Sequence, residues 1–163
     1  MSYKNKTYVI FDADTDIGKY RLMTAWKANK KIDFNFHNAH ELNNLRGNSS
    51  EETIKKKLRE RLKNTKQAIV IVGENTKELY KFVRWEIEVA LSLEIPIIAV
   101  NLCNSDGSTD KTPPILKKNA YFVSVPFEVK KIKYALDKFP SSYHKNKSKA
   151  PSSRIYDWSK ISI

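Results

Sequence analysis

The stretch QAIVIVGENTKELYKFVRWEIEVALSLEIPIIAVNL, residues 67–102, decides the fold. Its ends, QAIVIVG (67–73) and IPIIAVNL (95–102), are aliphatic runs without polar alternation. Such strands bury side chains on both faces, which requires a sheet covered on both sides. The segment between them reads as a helix, with Phe82, Val83, Val89 and Ala90 on an apolar face. Strand, helix and strand in this order imply a parallel pair.

The same alternation extends in both directions. TYVIF (7–11) reads as a buried strand and IGKYRLMTAWKANK (17–30) as a helix that packs through Tyr20, Leu22, Met23 and Trp26. IDFNFH (32–37) alternates as a strand does, and HNAHELNNLRGNSS is polar loop. SSEETIKKKL opens a helix with Ser49 or Ser50 as N-cap, and Ile54, Leu58 and Leu62 form its buried stripe. After QAIVIVG and IPIIAVNL comes an irregular loop, CNSDGSTDKTPP, then a last strand, AYFVSV (120–125), and a closing helix, EVKKIKYALDKF (128–139). Beyond Pro140 the composition turns to Ser, Lys, Asn and Pro, which reads as an extended tail ending in the dockable RIYDWSKISI. The expected division is a domain over 1–140 and a basic C-terminal tail over 141–163. Five parallel strands suit a flavodoxin-like, doubly wound α/β sheet. With strand order 2-1-3-4-5, the ligand crevice opens beyond the first and third strands, at DADTDIG (12–18) and GENTKELY (73–80).

Composition narrows the function classes. The 163 residues fit one domain, and 7 Phe, 8 Tyr and 3 Trp supply a folded core. Cys103 is the single cysteine, expected to pack at a strand end, so a disulfide framework and a Cys-based zinc site are excluded. No apolar run is long enough to span a bilayer and the first twenty residues lack a signal pattern, so a cytoplasmic protein without membrane contact is expected. The formal charge is +12, and nine Lys/Arg against three Asp/Glu put half of it in residues 128–163. The remainder is spread over solvated helix faces, which argues against a nucleic-acid surface. Four glycines form neither a dinucleotide fingerprint nor a P-loop. His37 and His40 sit in the polar loop without companion cysteines, so no metal is expected there.

Two features carry chemistry. Glu86 falls among the apolar residues of its helix, whereas Glu88 has Arg84 four residues before it as a surface partner. Asp12, Asp14 and Asp16 follow the first strand, where Asp14 or Asp16 is expected to cap the helix from Ile17. Such a cluster also suits magnesium. A response-regulator receiver is ruled out, because VGEN offers no acceptor Asp and VSVPF no lysine. A magnesium-dependent phosphatase of the haloacid-dehalogenase type remains as an alternative, since VIFDADTD approaches its first motif and SDGSTD its second. Against it, Thr15 stands one place early and no flap precedes the helix.

FDADTDIGKYR, AHELNNLR, SSEETIKKKLRERL, VIVGENTKELYKFVRWEIEVAL and PIIAVNL together resemble bacterial TIR-like proteins related to the TIR subunit of Thoeris antiphage defence, over roughly residues 7–139. The resemblance implies a TIR fold, NAD as substrate with no further cofactor, and Glu86 as the cleft glutamate that assists cleavage of the nicotinamide–ribose bond. It implies further that Phe11, Asp12 and Asp14 contribute to substrate binding from the first loop. Tyr80 and Trp85 offer aromatic faces for nicotinamide or adenine, and Arg46, Lys19 and Arg21 offer charge for the diphosphate. The loop from His37 to Asn48 matches the family's cleft-covering and assembly loop. The family's usual tryptophan four residues before the glutamate is replaced here by Phe82. A cyclic ADP-ribose-type product would act as a signal to a separate effector protein. The rival class is a non-catalytic TIR-like interaction module that works by self-assembly; an exposed Glu86, or a first loop filling the cleft, would favour it.

Overall fold

β2 (Gln67–Val72) shows how the sheet is built: all six residues are buried, with Ile69 and Ile71 in one core and Ala68, Val70 and Val72 in the other. A computed structural model describes residues 7–12, 14–29, 50–78 and 82–163 of the chain. β1 (Thr7–Ile10), β2, β3 (Ile97–Asn101), β4 (Tyr121–Pro126) and β5 (Ser152–Arg154) lie side by side in that order. Every pairing is parallel. The fold is therefore the α/β, flavodoxin-like arrangement expected from the aliphatic runs.

Period-two alternation sorts the side chains into two layers. Val9, Phe11, Ile98, Val100, Val123 and Val125 share one core with α1 (Ile17–Ala28) and α5 (Val129–Asn146). Tyr8, Ile10, Ile97, Ala99 and Phe122 share the other with α2 (Glu51–Leu62), α3 (Phe82–Ser92) and α4 (Pro114–Asn119). α2 starts where the sequence places it. Ser50 accepts the Thr53 N–H at 3.2 Å, and Ile54, Leu58 and Leu62 are buried. α1 buries Tyr20 and Met23, but Leu22 points outward.

The first, third, fourth and fifth expected strands appear as β1 to β4 in neighbouring order; the expected strand 32–37 lies outside the described residues. The fifth described strand comes instead from the tail, where Tyr121, Phe122 and Val123 pair with Ser152, Ser153 and Arg154. Three further expectations are corrected. α4 escaped the reading because six residues starting at Pro114 are too few to reveal a period. Cys103 is exposed just after β3 rather than packed.

The third correction concerns Pro140. The closing helix does not stop there but continues to Asn146. Burial overrides the breaker: Phe139 and Tyr143 sit in the core on either side of it. Ser142 Oγ lies 3.0 Å from the Tyr121 hydroxyl and accepts from Arg154 Nη1 at 3.1 Å, which ties this half of the helix to β4 and β5. Proline still removes one helical hydrogen bond and crowds the preceding turn. Pro140→Ala is therefore expected to stabilise the fold by about 1–2 kcal/mol after allowing for the freer unfolded chain. Urea unfolding checks this. An unchanged or lowered midpoint would mean that the helix ends before Pro140.

Candidate functional site

At the carboxyl end of β1 the chain turns sharply into α1, and acids line the turn. Asp12 is buried; its Oδ1 accepts the Asp14 N–H at 3.0 Å and the Thr15 N–H at 3.4 Å, while its carbonyl accepts the Asp16 N–H at 2.8 Å. Asp12 thus organises the turn as an Asx-type bridge. The side-chain cap expected from Asp14 or Asp16 is absent. Asp16 occupies the N-cap position without capping by its carboxylate, and Asp14 is exposed.

The Asp16 carboxylate turns instead toward the end of β2. It packs so closely on Gly73 that a Cβ there would stand 2.2 Å from Oδ2 and 2.6 Å from Oδ1. Any side chain at residue 73 would push the Asp16 carboxylate out of this position. Thr76 completes this corner, accepting the Gly73 N–H at 2.9 Å and donating to the Ile71 carbonyl at 3.2 Å. Burial, then the charges of Asp12 and Glu74, push the Asp16 carboxyl above its ordinary value, against a lowering contribution from Thr76. The loops after β1 and β2 therefore meet through a carboxyl group at the carboxyl end of the sheet.

Glu86 lies one helical turn into α3 and is 8% exposed, with Oε2 fully enclosed. Val83, Ile87, Val89 and Ala90 around it are buried. Across from it stands Tyr8 of β1, fully buried in the same core. Burial and then the adjacent Glu86 carboxylate push the Tyr8 phenol far above its ordinary value, with Arg61 of α2 acting in the opposite sense. Glu88, two residues on, has the opposite character: it accepts from Arg84 Nε at 2.8 Å and pairs with Lys55. Burial tends to raise the Glu88 carboxyl, yet those two cations hold it below the usual carboxylate range.

The remaining expected residues scatter. Phe11 faces the opposite core from Tyr8 and stacks on Tyr20 at 4.6 Å with the rings 10° apart. Trp85 and Phe82 are half-buried and meet edge to face at 5.6 Å. Lys19 lies over the Phe127 ring and Arg21 is exposed. Arg46, Tyr80 and the loop from His37 to Asn48 lie outside the described residues. Asp106, the first acid of SDGSTD, accepts the Trp158 indole N–H at 3.1 Å and so belongs to the docking of the tail. Among the described residues, no three metal-ligating side chains converge. No helix among them is long and apolar enough to cross a membrane.

The sequence matches the family described as "Thoeris protein ThsB, TIR-like domain" over residues 3–106, more than half of the chain. This chain belongs to that family. The match runs from β1 through β3 and includes the Asp12 turn, Gly73, Tyr8 and Glu86. It ties this TIR-like domain to the Thoeris type of antiphage defence. The matched segment ends before α4, β4, α5 and the tail strand.

Sequence reading singled out Glu86 and passed over Tyr8, Gly73 and Thr76. Tyr8 carried the same signal as Glu86, a polar atom inside an otherwise aliphatic strand. The Asp16 contact is checked through pH. A buried acid with a raised pKa is tolerated when protonated and costs stability as pH rises from the ordinary aspartate range through the folded value. Asp16→Asn removes that cost, so its melting temperature should exceed the wild type by more at pH 7.5 than at pH 4. A pH-independent difference would show that the Asp16 carboxyl is not strained.

Proposed function

We propose that this TIR-like domain is an enzyme that cleaves the nicotinamide–ribose bond of NAD and makes a cyclic ADP-ribose-type signal for antiphage defence. The observation that carries this reading is Glu86: a carboxylate enclosed by aliphatic side chains, one turn inside α3, on the helix that follows the crevice loop of β2. As the glycosidic bond breaks, its electron pair leaves with nicotinamide and positive charge develops on the ribose carbon, as in glycoside hydrolysis. A carboxylate fixed beside that carbon stabilises the transition state more than the ground state. Apolar surroundings strengthen the effect by excluding water.

The group that captures the ribosyl cation sets the product. Water, losing a proton, gives ADP-ribose; a nucleophilic atom of the same molecule closes a ring. A cyclic product suits a diffusible message to a separate effector protein, and self-association through TIR surfaces provides a means of control. The Asp12 turn and Trp85 are the described residues assigned here to substrate binding, with Arg46 and Tyr80 as further candidates.

Nicotinamide release from NAD by the purified protein, followed by mass spectrometry of the products, tests this reading. Glu86→Gln should slow release about 100-fold or more while leaving the fold intact. Equal release by wild type and variant would overturn the assignment. ADP-ribose as the sole product would replace signalling by NAD depletion.

A further inference from the structure

Tyr8 is an unusual residue for its place. It is 0% exposed, in a strand whose four residues are all buried, and it shares the core with α2 and α3. Its hydroxyl interacts with the Glu86 carboxylate yet completes no hydrogen bond of good geometry among the described residues. An orphaned buried hydroxyl costs about 1–3 kcal/mol, and Phe would fill the same space without that cost. A structural role alone therefore does not account for the oxygen.

The surroundings do. Strand alternation turns Tyr8 and Ile10 toward the core that contains α2 and α3, and α3 presents Glu86 to that core. The charged and titratable groups that act on the Tyr8 phenol come from three helices: Glu86 of α3, Arg61 of α2 and Tyr20 of α1. Among these, only Glu86 is an anion. A neutral phenol O–H beside a carboxylate is a ready donor, and a small movement of either side chain completes the bond.

We infer that Tyr8 is a positioning residue for Glu86: its hydroxyl holds the carboxylate in one orientation. The inference rests on the reading of Glu86 as the catalytic carboxylate. A carboxylate already held in one orientation meets a developing positive charge without reorganising. Because the phenol itself stays protonated throughout the working range, it serves as a fixed donor and not as an acid or base.

Tyr8→Phe removes the oxygen alone. In NAD cleavage it should lower kcat by about tenfold or more with KM for NAD changed less than about twofold, the pattern of a lost transition-state interaction. A lost core contact would not produce the kcat-selective loss. Glu86→Gln run in parallel separates the two assignments: an active Gln variant sinks the catalytic reading, whereas an inactive one beside a wild-type-like Tyr8→Phe sinks only the role of Tyr8. A double-mutant cycle on unfolding with Tyr8→Phe and Glu86→Leu supplies a readout independent of turnover. The factor by which Tyr8→Phe changes the unfolding constant should differ about fivefold or more between the wild-type and Glu86→Leu backgrounds. Equal factors in the two backgrounds would overturn the inference.

Discussion

The structure depends on the sealing of β1 to β4 on both faces. Once each of these strands is covered by helices above and below, no side chain in their middle can reach water, and polar groups are confined to the strand ends or must find partners inside. At the amino end, Gln67 Nε2 donates to Thr7 Oγ1 at 3.0 Å, across the register that pairs those two residues. At the carboxyl end, Asp12, Asp16 and Thr76 use backbone amides and close packing to join two loops. The crevice is polar because the sheet leaves polarity nowhere else to go.

Glu86 and Tyr8 place polar groups inside the α2–α3 core, where they face each other. Two glutamates on one helix make the contrast plain. Glu88 meets Lys55 and Arg84 at the surface of α3 and behaves as a structural ion pair. Glu86 is enclosed by Val83, Ile87, Val89 and Ala90 and faces a phenol. Folding stability alone does not favour an enclosed carboxylate over leucine at this position, since burial of a charge is costly even when it is partnered. The proposed reaction, which develops positive charge, would.

Much of this was legible in the residues, for physical reasons that differ from element to element. Aliphatic runs without alternation have one stable use, so β1 to β4 and their parallel pairing followed directly. The Ile54, Leu58 and Leu62 stripe left no other face for α2 to bury. Failures came where tertiary contacts outweighed local signals. Pro140 reads as a stop, yet Phe139 and Tyr143 carry the helix through it. Serine and lysine after it read as tail, yet Ser152–Arg154 add a strand and Trp158 reaches Asp106. Of the candidate site, Glu86 stood out because charge is conspicuous in an apolar face. Tyr8 did not, because tyrosine is ordinary in a core until its oxygen is followed. Nor did sequence spacing reveal that Phe11 turns to the opposite face, which is a matter of strand phase.

The central claim is that the enclosed carboxylate of Glu86 is where NAD reacts. A crystal structure with an uncleavable NAD analogue tests it most directly. The account predicts the nicotinamide-bearing ribose beside Glu86, with its anomeric carbon about 3.5 Å from a carboxylate oxygen. An analogue seated elsewhere, with Glu86 still closed within the α2–α3 core, would contradict it.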